Sequence, residues 1–252
     1  MISNDFSAVK TDYNRDGYAY LPGFLSNEEI AGIKEELRRF VEQKVPEMPA
    51  GYVFYEDKND PGTLKQLQDI QNYSPFFGDV LVGSRFEELA GVLLDDAPVA
   101  RNLEYFNKPP RIGKATPAHQ DGYYFMLKPC KAITMWLALE EADETNGCVR
   151  YIKGSHQKGM RPHGRTQTLG FSQGITDYSD ADHSNEIFFR AKAGDLLVHD
   201  AMTIHRTDAN KSDRSREALG FIYFGASAKE DLEAKAAYQQ KLNEERFEKN
   251  EK

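Results

Sequence analysis

Cysteine is scarce: only Cys130 and Cys148 occur in 252 residues. Two thiols make no disulfide framework and fit a reducing compartment. Positive charge is not in excess either. Lys and Arg number 32 against 40 Asp and Glu, a net charge of −8, whereas a general nucleic-acid binder carries a basic footprint. No stretch approaches the roughly 20 apolar residues of a membrane span. The N-terminal MISNDFSAVK has no apolar secretory core, and the closing Asn250, Glu251 and Lys252 are not a peroxisomal Ser-Lys-Leu. Internal repeats and low-complexity segments are absent as well. The expectation is a cytoplasmic protein with neither membrane nor nucleic-acid partner. A chain of this length buries a core without disulfides or a structural metal, and one domain over 1–252 is the economical reading.

What is present divides in two near Pro98. Before it, Ser26 and Glu29 have the Ser-x-x-Glu spacing of a capping box. Ile30, Ile33, Leu37, Phe40 and Val41 follow at helical spacing until Pro46. GYAYLPGFL (17–25) reads as a strand and turn, and a second helix is expected over 84–94. After Pro98, short β-rich runs alternate with Gly, Pro, Asn and Asp: 102–106, 132–139, 149–152, 186–189, 195–199 and 219–224. That texture predicts a mainly β fold with flanking helices, of sandwich or jelly-roll type. The expected layout is a helical part over about 1–97, a β core over about 98–228 and a charged, solvated helix over 229–252.

Six histidines occur. His119 and Asp121 form a His-x-Asp pair, and on a strand residues two apart share a face. Imidazole and carboxylate then converge, and one further ligand completes the 2-His-1-carboxylate set of non-haem Fe(II) oxygenases. The run GDLLVHDAMTIHRTD offers two candidates, His199 and His205, which composition does not separate. Downstream, Arg216 opens a strand and suits bidentate binding of a carboxylate.

The motifs HQD (119–121), NGCVRYIKGSH (146–156) and GDLLVHDAMTIHRT (194–207), with Arg216 and the opening DGYAYLPGFLSNEEI (16–30), resemble the phytanoyl-CoA dioxygenase family. The resemblance covers most of 16–225. It implies a cupin-like double-stranded β-helix, a jelly-roll variant, carrying an Fe(II)- and 2-oxoglutarate-dependent dioxygenase. Such an enzyme consumes O2 and releases succinate and CO2 while it hydroxylates an unactivated C–H bond, with ascorbate as accompanying reductant. Residue by residue, the resemblance implies iron ligation by His119, Asp121 and His205. It places Arg216 on the 2-oxoglutarate C5 carboxylate, Thr207 beside it, and Trp136 along the co-substrate site. His199 and His156 become structural. Relatives that halogenate carry a small residue at the carboxylate position, so Asp121 implies hydroxylation. Two other readings stand beside this one: a catalytically silent cupin-like protein, and a metal protein that works without 2-oxoglutarate. Arg216 discriminates, since neither needs a clamp for a diacid.

One charge anomaly remains. Residues 145–176 contain no Asp or Glu but carry Arg150, Lys153, Lys158, Arg161 and Arg165 with His156 and His163. Read as a long polar loop near the metal, this stretch predicts recognition of a small anionic substrate through Arg161, His163 or Arg165. Tyr123 and Tyr124 are expected to line the same pocket.

Overall fold

The structure is a computed structural model and describes residues 6–168, 171–238 and 240. Helix α1 (Ser7–Asp16) leads into strand β1 (Tyr18–Leu21) and helix α2 (Asn27–Gln43). The Ser26–Glu29 capping box forms: Glu29 N donates to Ser26 Oγ (3.3 Å) and Ser26 N to Glu29 Oε2 (2.8 Å). Ile30, Ile33, Leu37 and Phe40 are the buried stripe that it starts. Strands β2 (Val53–Tyr55) and β3 (Leu64–Leu67) and helices α3 (Pro75–Leu81) and α4 (Arg85–Leu94) follow.

The remaining elements are β4 (Pro98–Lys108), β5 (Thr116–His119), α5 (Gly122–Phe125), β6 (Leu127–Lys128), β7 (Ala132–Ala138) and β8 (Val149–Ile152). Then come β9 (His163–Thr168), β10 (Phe171–Ile175), α6 (Asp180–Ser184), β11 (Glu186–Phe188), β12 (Leu196–Asp200), β13 (His205–Thr207), β14 (Arg216–Gly225) and β15 (Lys229–Glu230).

Two antiparallel sheets face each other. One has seven strands in the order β1-β12-β7-β14-β4-β3-β2, the other four in the order β11-β8-β13-β5. The larger sheet divides its residues by parity. Leu103, Tyr105, Ile133, Met135, Leu137, Leu219, Phe221 and Tyr223 join the main core with α2, α3 and α4, where Phe86 stacks on Phe221 at 4.0 Å. The alternate residues Glu104, Thr134, Trp136, Arg216, Gly220 and Ile222 line the space between the sheets. Burial on both faces explains why these strands read as nearly continuous apolar runs. Polar residues interrupt them only where the interior has a task.

Three expectations need correcting. The N-terminal part is not only helical: β1, β2 and β3 all enter the large sheet. Each has no more than four residues, too short for a period-2 signal to rise above its neighbours. The stretch 145–176 is not a loop without secondary structure, because it contains β8 and the β9–β10 hairpin. The charged tail begins as β15, whose Lys229 and Glu230 pair with Lys128 and Leu127. It turns helical only at Leu232, and 241–252 lie outside the described residues. No helix among the described residues is long and apolar enough to cross a membrane.

Candidate active site

Strands β5 and β13 set His119 directly opposite His205, so their side chains leave one face as close cross-strand neighbours. The rings sit 4.1 Å apart, centre to centre. Asp121 joins them, though not by strand parity. Strand β5 ends at His119, and Asp121, with φ −59° and ψ −32°, begins the one-turn helix α5. This turn, rather than the pleat, brings the carboxylate back. Asp121 Oδ1 lies 3.4 Å from His119 Nε2 and 3.5 Å from His205 Nε2. One ligating atom from each of the three lies within 4.8 Å of the others.

The surroundings orient all three. His119 Nδ1 donates to the Pro117 carbonyl (2.8 Å) and His205 Nδ1 to the Thr203 carbonyl (3.0 Å). Each Nε2 is thereby left as a lone pair facing the shared space. Thr134 donates its hydroxyl to Asp121 Oδ2 at 2.6 Å. His199 Nε2 reaches the same oxygen at 3.1 Å, and its Nδ1 meets the Tyr151 hydroxyl at 3.1 Å. These contacts leave Oδ1 turned toward the two histidines. Burial, the largest single influence, would raise the Asp121 carboxyl, but His205, His119 and His199 together outweigh it and hold the group well below its usual range. His199 therefore does more than fill a strand, since it holds the carboxylate without joining the ligating group.

Gln120, between His119 and Asp121, is fully buried. Its amide nitrogen donates to the carbonyls of Gly159 (3.0 Å) and Met202 (2.8 Å), and its carbonyl oxygen accepts from Arg161 N (2.8 Å). Its backbone N–H donates to His163 Nε2 at 3.1 Å. Gln120 thus pins the turn that presents Asp121. Neither Gln120 nor Thr134 belongs to a spacing pattern that a sequence betrays, because their partners are distant in the chain.

A cavity of about 240 Å³ extends from this group between the sheets. At its far end stands Arg216, 4% exposed, with its guanidinium 5.4 Å from the centre of the Trp136 ring. Arg216 Nε and Nη1 and the Thr207 hydroxyl are buried without hydrogen-bond partners. Burial lowers the Arg216 pKa to about 10. Lys108 is its register partner on β4, donates to the Lys114 carbonyl, and is pushed well down by burial and by Arg216. Two buried cations side by side are costly unless an anion joins them. The residues present therefore fit a diacid reaching from the His/Asp group to Arg216.

The predicted substrate contacts fare differently. Tyr124 lines this cavity, and its hydroxyl donates to the Gln173 carbonyl at 2.7 Å. Tyr123 turns to a second cavity on the far side of α5 and stacks on His163 at 4.3 Å. Arg161 is not an open anion site, since it pairs with Asp177 (2.9 Å) and Asp182 (2.8 Å). Both carboxylates lie just beyond the acid-free stretch, where a count of 145–176 misses them. His163 spends both ring nitrogens on backbone, with Nδ1 on the Arg161 carbonyl at 2.8 Å. Arg165 lies on β9 and does not line the cavity. His156 is structural, its Nε2 meeting the Asn14 carbonyl at 3.2 Å. It packs where a Cβ on Gly17 would come within 2.4 Å of its Nδ1.

Two facing sheets with a His/Asp/His group at one end of their cavity and a buried arginine at the other define an iron- and 2-oxoglutarate-dependent oxygenase. The family model described as "Phytanoyl-CoA dioxygenase (PhyH)" matches residues 13–218. The chain belongs to that family. It is 28% identical over 258 residues to peroxisomal phytanoyl-CoA dioxygenase of Mus musculus, covering 95% of this chain and 74% of that one. Against phytanoyl-CoA dioxygenase of Arabidopsis thaliana it is 26% identical, with coverage of 82% and 84%. Its fold resembles EctD from S. alaskensis, crystallised with 2-oxoglutarate and 5-hydroxyectoine, at a TM-score of 0.74 and 18% identity, covering 90% and 79%. It also resembles the epimerase SnoN, solved with Fe3+ and alpha-ketoglutarate, at 0.73 and 23% identity, covering 88% and 84%.

Proposed function

We propose that this chain hydroxylates an unactivated C–H bond of a small molecule. His119, Asp121 and His205 would hold the iron, and Arg216 would bind the far carboxylate of 2-oxoglutarate with the Thr207 hydroxyl beside it and Trp136 as a wall. The observation that carries this reading is the set of buried, unpartnered donors on Arg216 and Thr207, across one cavity from the ligating group. The iron, together with 2-oxoglutarate and O2, would supply the oxidising chemistry, with succinate and CO2 as co-products.

The chain's own residues position and enclose. Thr134 and His199 fix one carboxylate oxygen of Asp121, so the other is presented in a constant direction. Arg216 gives the co-substrate a single orientation, because a planar guanidinium takes a carboxylate through two parallel bonds. The sheets exclude water from the reacting centre. Asp121 favours hydroxylation over halogenation, since it occupies the position that a halide needs vacant.

The test is succinate formation from 2-oxoglutarate with Fe(II) and ascorbate. Slow uncoupled turnover is expected even without a primary substrate, and none in His205→Ala. Absence of both turnover and 2-oxoglutarate binding in the unaltered protein contradicts the reading.

A further inference from the structure

Neither the metal nor the 2-oxoglutarate end of the cavity employs Glu104. This residue lies on β4, across Gly220 from Trp136 in one register row of the large sheet. The next row on the same face is Asn102, Ile222 and Thr134, and Thr134 bonds the Asp121 carboxylate. Rows on one face are about 7 Å apart, so Glu104 flanks the track between iron ligands and Arg216 from one strand away. Glu104 is 8% exposed and lines the cavity.

Its carboxylate accepts from Gln66 Nε2 (3.1 Å) and Asn102 Nδ2 (2.7 Å), and neither amide carries charge. The charges that act on it most are Asp121 and Asp69, both carboxylates. The cavity's three lysines are occupied elsewhere, Lys65 and Lys114 with Glu56 at 3.2 and 3.9 Å and Lys108 at the Arg216 end. Beside the carboxylate, Gln66 Oε1 is buried and has no donor. On one wall, therefore, Gln66 Oε1 lacks a donor and the Glu104 carboxylate, hydrogen-bonded on both oxygens, lacks a cation; a buried carboxylate without one is costly. The aromatic rings of Phe106, Tyr124 and Phe125 line the same cavity, and such faces favour a cation.

We propose that Glu104 and the Gln66 carbonyl oxygen form the subsite for a protonated nitrogen on the primary substrate, which makes the substrate a cationic amine. This rests on the oxygenase reading above and reverses the anionic substrate expected from the 145–176 segment. Positive charge in the cavity serves the co-substrate; negative charge serves the substrate. Phe106 is also what confines Gly220, where a Cβ would come within 2.6 Å of its ring. A side chain at 220 thus displaces the wall against which the amine lies.

The experiment is anaerobic calorimetry on protein loaded with iron and 2-oxoglutarate, titrated with matched alkylamines, alkanols and alkanoates of equal chain lengths. The amines are expected to bind at least about tenfold more tightly than their alcohol and carboxylate counterparts. Glu104→Gln, isosteric and still able to bond Asn102, should remove that preference while the 2-oxoglutarate affinity stays within about twofold. Gln66→Leu should weaken the amines in the same direction by a smaller factor. Amines that bind no better than alkanols or alkanoates, or an amine preference that survives in Glu104→Gln, would overturn the proposal. So would a Glu104→Gln protein whose 2-oxoglutarate affinity falls along with its amine affinity, which would assign Glu104 to the co-substrate. If the unaltered protein binds no 2-oxoglutarate, the oxygenase reading fails instead, and the two failures are told apart.

Discussion

At the His119–Asp121–His205 end of the cavity, the outward nitrogen or oxygen of each of the three residues already has a protein partner: Pro117, Thr203, Thr134 and His199. At the opposite end, Arg216 and Thr207 keep buried donors with none. The difference separates two kinds of binding. A metal needs ligands held in fixed directions before it arrives, and on the proposed reading these outer contacts are what fixes them. On the proposed reading, a co-substrate that comes and goes supplies the missing contacts, which is why Arg216 and Thr207 keep theirs open. The Glu104 wall resembles the second kind with the opposite sign.

Breaking the completed end should have the largest effect. His205→Ala is expected to abolish iron binding and 2-oxoglutarate turnover, read by metal analysis and succinate release. His199→Ala and Thr134→Val leave the three ligands in place and should weaken iron by about 10–100-fold. Abolished binding in His199→Ala with measurable binding in His205→Ala would exchange their roles.

The incomplete walls give smaller, pH-dependent signatures. Burial raises the Glu104 pKa to about 7, above the ordinary carboxyl value that it regains on unfolding. The folded protein thus holds this proton longer than the unfolded chain. Its contribution to stability is full below the unfolded pKa and fades as pH rises through 7. Denaturant titrations between about pH 4.5 and 7.5 should show Glu104→Gln lacking that part of the slope. Identical slopes would place the carboxylate in a more polar setting than its burial implies. The smallest effect is expected at Arg161, whose ion pairs with Asp177 and Asp182 are partly exposed and worth about 0–1 kcal/mol each. Arg161→Ala should change kcat/KM by less than about fivefold. A larger loss carried by KM would restore it as a substrate contact.

How much of this was legible in the chain follows from the range of the interactions involved. The α2 helix was readable because its cap and its apolar stripe are local. Strands such as β7 and β14 were readable because burial on both faces leaves nearly unbroken apolar runs. The proposed site residues His119, Asp121, His205 and Arg216 stood out through a family resemblance. The pleat argument offered for the first two does not hold, since Asp121 lies in a helical turn. The roles of Gln120, Thr134 and Glu104 were invisible because each depends on a partner distant in the chain. The basic stretch misled for the same reason: its charge balance closes through Asp177 and Asp182, just outside the window counted.

The central claim is that Arg216 waits, uncompensated, for the far carboxylate of 2-oxoglutarate. It is tested most directly by anaerobic calorimetric titration of 2-oxoglutarate into the iron-loaded protein and its Arg216→Met variant. The account predicts a loss of affinity of about a hundredfold or more, in a variant whose ligand-free form unfolds at the same or a higher temperature because a lone buried charge is gone. Affinities within about threefold of each other would contradict it.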